Sequence, residues 1–223
     1  MKSEQIARGI TRYLFSCREE WLANRIGIGG SDAAAIVNMN PYKDNQTLWR
    51  EKAGQKKPED ISGKPYVQYG HDAEPLLRGL FALNYPQYHV DYYEDNLIRN
   101  EKYPWAHASL DGELTDPEGR KGVLEVKTTT INSRAQLEAW NDSIPDNYFI
   151  QCLHYLMVTG YDFVWLTALL RFEAGGKLTC EIRHYDFSRE EVLEDIEYLK
   201  KEERLFWDSL QKNKQPGLML PEI

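Results

Sequence analysis

Ser109-Leu110-Asp111-Gly112, followed by Gly122-Val123-Leu124-Glu125-Val126-Lys127-Thr128, is the stretch that decides how this 223-residue chain is read. Residues 121–128 have the pattern of a strand. Successive side chains of a strand face opposite ways. Glu125 and Lys127 therefore share one face, and Leu124 and Val126 share the other. The apolar face predicts contact with a core. The polar face sets an acid beside a lysine, near Asp111 from a neighbouring strand. Two carboxylates can hold a hard divalent cation, and an adjacent lysine can steady a charged intermediate or position a water. That is the chemistry of phosphodiester hydrolysis. Taken alone, the same residues also read as an Asp111-Gly112 turn and an ion pair on a solvated strand.

Working outward, residues 3–24 are predicted as a helix, with Ile6, Ile10, Tyr13 and Leu14 near a helical period. Gly27-Ile28-Gly29-Gly30 reads as a permissive turn, with Ser31 as N-cap of a helix through the alanines that ends at Asn40-Pro41-Tyr42. Residues 45–53 form another predicted helix, closed by Gly54, and 55–63 a polar loop. A longer helix spans about 68–84, with Pro75 in its first turn or bending it. Strands follow over 88–114 and 121–128, then helices at 132–140 and 145–159. A hairpin of 161–171 and 178–187 turns at Gly175-Gly176, and Ser188 with Glu191 forms a capping box for a C-terminal helix. The order predicts an α/β or α+β protein with a central mixed β-sheet flanked by helices, in one domain over 1–223.

Hydrophobic residues make up 42% of the chain and charged residues 28%, which fits a globular protein. No apolar run reaches the roughly 18 residues needed to span a bilayer, and the N-terminus shows no secretory pattern. Cys17, Cys152 and Cys180 have no paired spacing, so they read as reduced residues of a cytoplasmic protein. The net charge of −8 argues against non-specific DNA binding. Much of the acid, however, lies in 188–208, where it predicts a solvated outer face that leaves room for a smaller basic groove.

Three further constellations carry possible chemistry. Gln151 and Tyr155 sit four apart on one helix face, where an amide and a phenol can meet a phosphate or a metal-bound water. They also read as ordinary polar positions, and neighbouring His154 as a structural or exposed histidine. Glu74 can supply a helix-borne carboxylate, or simply pair with Arg78 at i+4. His71 nearby is a weaker candidate base. Arg25 and Ser31 flank the glycine turn and suit a phosphate, although a turn and a cap need no ligand.

The order Trp21, Arg25, Gly29-Gly30-Ser31-Asp32, then Gly70 and Glu74, then Ser109-Leu110-Asp111-Gly112, Glu125-Val126-Lys127, Gln151 and Tyr155 resembles the phage lambda exonuclease family. These are the YqaJ-type viral recombinases of the PD-(D/E)xK nuclease superfamily, and the resemblance runs from about residue 20 to 210. It implies a restriction-endonuclease-like core and a 5′-to-3′ double-strand DNA exonuclease that leaves 3′ overhangs. It makes Asp111, Glu125, Glu74 and the carbonyl of Val126 ligands of Mg²⁺, with Mn²⁺ as an alternative, and Lys127 the catalytic lysine. It assigns Arg25, Ser31, Ser109 and Gln151 to a 5′-phosphate pocket, supported by Tyr155. The Arg25-to-Ser31 spacing is shorter than in the lambda enzyme. The resemblance further implies duplex DNA ends and a single-strand annealing protein as partners, a ring-shaped homotrimer, no membrane, and a phage or prophage origin. The acidic C-terminal helix and the aromatics at Tyr92-Tyr93 are candidate docking surfaces. The rivals are another PD-(D/E)xK endonuclease and a non-catalytic DNA-end-binding scaffold. A Cas4-like iron–sulfur nuclease would need a fourth cysteine.

Overall fold

The computed structural model of the chain describes residues 1–218. The one-domain expectation over 1–223 therefore includes residues 219–223, which lie outside the described ones. The elements run β1 (Lys2–Ala7), β2 (Ile10–Leu14), α1 (Arg18–Asn24), α2 (Gly30–Ile36), α3 (Asn45–Lys52), α4 (Pro65–Asn84), β3 (His89–Asp91) and β4 (Asn96–Asn100). They continue with β5 (His107–Ala108), β6 (Gly112–Thr115), β7 (Lys121–Thr130), α5 (Arg134–Glu138), α6 (Asp146–Thr159), β8 (Phe163–Ala174) and β9 (Lys177–Ser188). A 3₁₀ turn at Glu190–Val192 leads into α7 (Leu193–Gln211).

The expected mixed sheet is present, in the order β3-β6-β7-β8-β9. Only β7 and β8 pair in parallel. Parallel neighbours need a long crossover connection, and α5 and α6 supply it. A second, antiparallel sheet of order β1-β2-β4-β5 was not separated in the sequence reading. β7 alternates as anticipated. Val123 belongs to the main core with Ile150 and Leu153 of α6. Leu124 and Val126 belong to a second core with Ala73, Leu77 and Phe81 of α4. The central strand is thus covered by α6 on one face and α4 on the other.

Several local expectations are corrected. Residues 2–14 form a hairpin, not the first half of a helix, because Gly9 takes φ +73° and turns the chain. The inward positions Ile10 and Arg12 alternate with period 2, and a charged residue at an inward place hid that period. α2 is capped by Gly29, not Ser31; Ser31 lies exposed in its first turn. α4 starts at Pro65, so Pro75 falls in its interior rather than its first turn. The Ser188–Glu191 box holds, with the Ser188 N–H donating to Glu191 Oε2 at 2.7 Å, but it opens the 3₁₀ turn first.

Two buried polar networks tie the layers together. Arg12 pairs with Glu113 of β6, whose other oxygen accepts from the Tyr161 hydroxyl at 2.7 Å. His154 of α6 is fully buried, not exposed. Its Nδ1 meets Glu203 Oε1 at 2.6 Å and its Nε2 meets the His107 carbonyl at 2.9 Å. Glu203 also accepts from Trp105 Nε1 at 3.3 Å. The acidic C-terminal segment is therefore not wholly a solvated face: Glu203 is one of its acids and has no exposure at all. Burial alone would lower the His154 pKa, but Glu203 outweighs it and the net direction is upward.

Candidate active site

β7 presents Glu125 on the α6 face with zero exposure. Its Oε1 accepts from Gln151 Nε2 at 2.7 Å and pairs with Lys127 Nζ. Its Oε2 is buried without a hydrogen-bond partner among the described residues. Asp111 sits just ahead of β6, and its Oδ2 accepts from the Val126 N–H at 2.9 Å. That single bond fixes the two acids in register across adjacent strands. Glu74 approaches from α4, where Arg78 Nη1 bridges Glu74 Oε1 at 2.9 Å and the Asp111 carbonyl at 2.5 Å. The i+4 pair and the third carboxylate are thus parts of one arrangement.

The electrostatics are those of crowded acids. Burial, and then the charge of Asp111, push the Glu125 carboxyl up to about 8. Glu74 is raised for the same two reasons in the same order. Burial works against the Lys127 ammonium, but Glu125 and Asp111 outweigh it and hold the lysine charged.

These residues fit a hard divalent cation. The donors are oxygens, one buried carboxylate oxygen is unfilled, and the like charges of Asp111 and Glu74 raise Glu125 despite its pairing with Lys127. Among the described residues no three His, Cys, Asp or Glu side chains form a cage on their own. The remaining ligands would come from backbone, water and substrate phosphate, the usual habit of Mg²⁺.

A cavity of about 260 Å³ opens beside the acids. Glu74 and Asp111 line one part of it, and so do all four residues expected to bind phosphate. Glu125 and Lys127 do not line it; they are joined to it through Gln151 and Asp111. Arg25 stacks over the Trp21 ring at 4.2 Å, with Arg18 over the same ring at 3.8 Å. Trp21 is anchored by Nε1 donating to the Asn96 carbonyl at 2.8 Å. Burial lowers the Arg25 pKa, and its guanidinium has no hydrogen-bond or ion-pair partner among the described residues. Ser109 Oγ already donates to the Asn96 carbonyl at 2.6 Å and accepts from Trp21 at 3.2 Å. Gln151 Nε2 reaches both Glu125 and the Tyr155 hydroxyl, the latter at 2.8 Å. Gly30 lets α2 press on this pair, since a Cβ there would come within 2.6 Å of the Tyr155 ring.

Some cavity residues escaped the sequence reading. Tyr92 and Tyr93, candidates for a docking surface, had no place in the expected site, yet they line the cavity. Arg78 lies over Tyr92 at 3.6 Å and Arg12 over Tyr93 at 3.8 Å. His107 lines the cavity too. The signal for it was available: His107, Ser109 and Asp111 stand two apart in an extended stretch, so one face carries all three.

Residues 20–162, more than half of the chain, match the model of the YqaJ-like viral recombinase domain. The uncharacterized protein YqaJ of Bacillus subtilis (strain 168) is 33% identical over 148 residues, which cover 66% of this chain and 44% of that protein. The chain thus matches less than half the length of that relative. The fold is similar to the alkaline exonuclease LHK-Exo of Laribacter hongkongensis, with TM-score 0.61, 19% identity, and 87% and 93% of the two chains covered. That protein is also known in complex with dAMP. A phage related exonuclease from Haemophilus somnus 129PT aligns with TM-score 0.55 and 16% identity, covering 87% and 99%. These two likenesses concern the fold alone, and the family match adds the lineage: the chain belongs to the YqaJ-like viral recombinase domain family.

Proposed function

We propose that this protein is a Mg²⁺-dependent DNA exonuclease, with Mn²⁺ as an alternative ion, that digests one strand of a linear duplex from 5′ to 3′. The product is a 3′ overhang for phage-type recombination by single-strand annealing. The observation that carries the reading is the shared cavity: Arg25, Ser31, Ser109 and Gln151 stand with Glu74 and Asp111, and Gln151 reaches the buried Glu125–Lys127 pair.

Asp111, Glu125, Glu74 and the Val126 carbonyl would hold the ion. When bound, it supplies charge neutralisation at the phosphate and a more acidic water. The remaining roles belong to the chain. Lys127 stays protonated beside Glu125 and orients the attacking water or steadies the negative charge that develops on the phosphate. Gln151 holds Glu125 in one rotamer and couples it to Tyr155. Arg25 offers an unsatisfied guanidinium to the terminal phosphate, and its stacking on Trp21 fixes where that charge sits. Ser31 is free at the surface of the same cavity. Ser109 must exchange its bond to Asn96 before its hydroxyl can donate to a phosphate.

The formal charge of −8 is consistent with end binding through a small site rather than a broad basic face. Among the described residues no helix is long and apolar enough to cross a membrane. A homotrimer around duplex DNA, an annealing protein that loads on the overhang, and a phage or prophage origin belong to the same proposal.

Digestion of linear duplexes bearing 5′-phosphate or 5′-hydroxyl ends, with and without Mg²⁺, tests chemistry and polarity together. The expected result is metal-dependent release of nucleotides from phosphorylated 5′ ends. Nicking of closed circles would favour an endonuclease, and binding of ends without cleavage would favour a scaffold.

A further inference from the structure

One buried polar side chain of the cavity has no role in the mechanism above. His107, at the start of β5, is 2% exposed, and neither Nδ1 nor Nε2 has a hydrogen-bond partner among the described residues. Buried polar atoms are normally paired, so two unfilled nitrogens on one ring that lines a cavity point to a ligand. The ring is firmly placed. Its backbone carbonyl accepts from His154 Nε2 at 2.9 Å, and its N–H donates to the Ile28 carbonyl at 3.0 Å. Nε2 lies 3.1 Å from where a Cβ on Gly29 would stand, so the glycine gives the imidazole its room. The same point on Gly29 lies 3.6 Å from Arg25 Nη2. The ring and the unpaired guanidinium therefore flank one turn of backbone.

The charged and titratable groups around the ring are His154 from α6, Arg25 from the end of α1, Asp32 from α2 and Lys52 from α3. Burial first, and then the His154 and Arg25 charges, push His107 down to about 3. It is thus a neutral ring at working pH, with one N–H donor and one lone pair.

We propose that His107 is a ligand of the terminal 5′ phosphomonoester, donating a ring N–H to a phosphate oxygen while Arg25 carries the charge. The inference rests on the end-recognition reading above and adds to it a neutral donor that no motif supplied. The chemical consequence is a contact that adds no charge to that of Arg25. A neutral donor recognises the phosphate oxygen by geometry, and it leaves the end free to detach after each cut.

The test compares wild type, His107→Leu and His107→Gln on linear duplexes with 5′-phosphate or 5′-hydroxyl ends. His107→Leu should lower kcat/KM on phosphorylated ends about tenfold more than on hydroxyl ends, the size of one neutral hydrogen bond, with the loss mainly in KM. His107→Gln, which keeps a donor, should recover part of the preference. Equal losses on both ends, or an unchanged preference, would overturn the proposal. Should His107→Leu fail to fold, the His107 ring ¹⁵N resonances of the wild-type protein decide the matter. They should shift on adding inorganic phosphate or a 5′-phosphorylated duplex, and resonances that stay fixed sink the idea. Wild-type protein that cleaves no linear duplex with Mg²⁺ would instead count against the proposed function, while the phosphate titration would still report on His107.

Discussion

Helix α6 has two buried polar clusters attached to it, and they are opposite in kind. On one side His154 is closed off: both ring nitrogens are bonded, and its partner Glu203 is bonded in turn to Trp105. On the other side Gln151 leads to Glu125, one of whose oxygens has no partner among the described residues, beside a His107 ring in the same condition and an Arg25 guanidinium stacked on Trp21. Both clusters are buried and both contain an acid beside a basic group. Burial of charge therefore does not distinguish a structural network from a working site. The two clusters on α6 differ instead in unfilled hydrogen-bonding capacity: the closed one stabilises the fold, whereas the open one leaves polar atoms that a ligand can meet.

The contrast can be broken most severely at Lys127. Lys127→Ala should lower cleavage of a 5′-phosphorylated linear duplex by about a thousandfold or more, in the range seen when a charge-stabilising group is removed. The protein should stay folded and bind DNA ends, and wild-type-like cleavage would remove the lysine from the mechanism.

The closed side should respond in the other currency. Glu203→Ala leaves His154 buried without its partner and should cost about 3–5 kcal/mol in denaturant unfolding. A loss below about 1 kcal/mol would mean that the network is not structural.

A smaller and opposite effect is expected at Asp111. Without divalent cation, Asp111→Asn removes a like charge beside Glu125 and Glu74 and should raise stability by about 1 kcal/mol, while cleavage is lost. Destabilisation by a similar amount would show that the Val126 N–H bond outweighs the repulsion.

The last effect is read in pH. The folded His107 value of about 3 lies below the ordinary 6.5, so the unfolded chain takes up this proton first. Its contribution to stability is complete above 6.5 and is lost as pH falls from there toward 3. His154 is raised, so its contribution is complete below 6.5 and is lost as pH rises through the higher folded value. Denaturant unfolding between about pH 4 and 8 should show a shallower acid limb in His107→Leu than in wild type. Parallel limbs would place the acid sensitivity elsewhere.

The central strand was legible because Leu124 and Val126 alternate with Glu125 and Lys127, and nothing interrupts the period. The same logic failed at residues 2–14, where Arg12 points inward to Glu113 and breaks an otherwise regular strand pattern. His154 could not be placed because its acid lies 49 residues away on α7, and periodicity carries no information about such a pairing. The acids of 188–208 look alike in sequence, yet Glu203 alone among them joins this core network. Ser31 looked like a cap because serine is a good one, but the glycine before it opens the helix where α2 meets Tyr155. At the candidate site, the acids and the lysine were readable from type and spacing. His107 shares their two-residue spacing with Ser109 and Asp111, but a lone histidine there carries weight only when its neighbours in space are known.

The parallel pairing of β7 with β8 joins Gly122 to Phe163, and α5 and α6 occupy the chain between them. Contacts this distant in sequence require loop closure before they bring any gain, so they form slowly compared with local ones. Gln151 lies within that crossover, and the strand bearing Glu125 and Lys127 is one of the two it must join. A growing chain that has emerged only as far as β7 holds every acid of the site but neither the strand that flanks them nor the amide that orients them. The order of synthesis thus delays assembly of the candidate site until the crossover has closed.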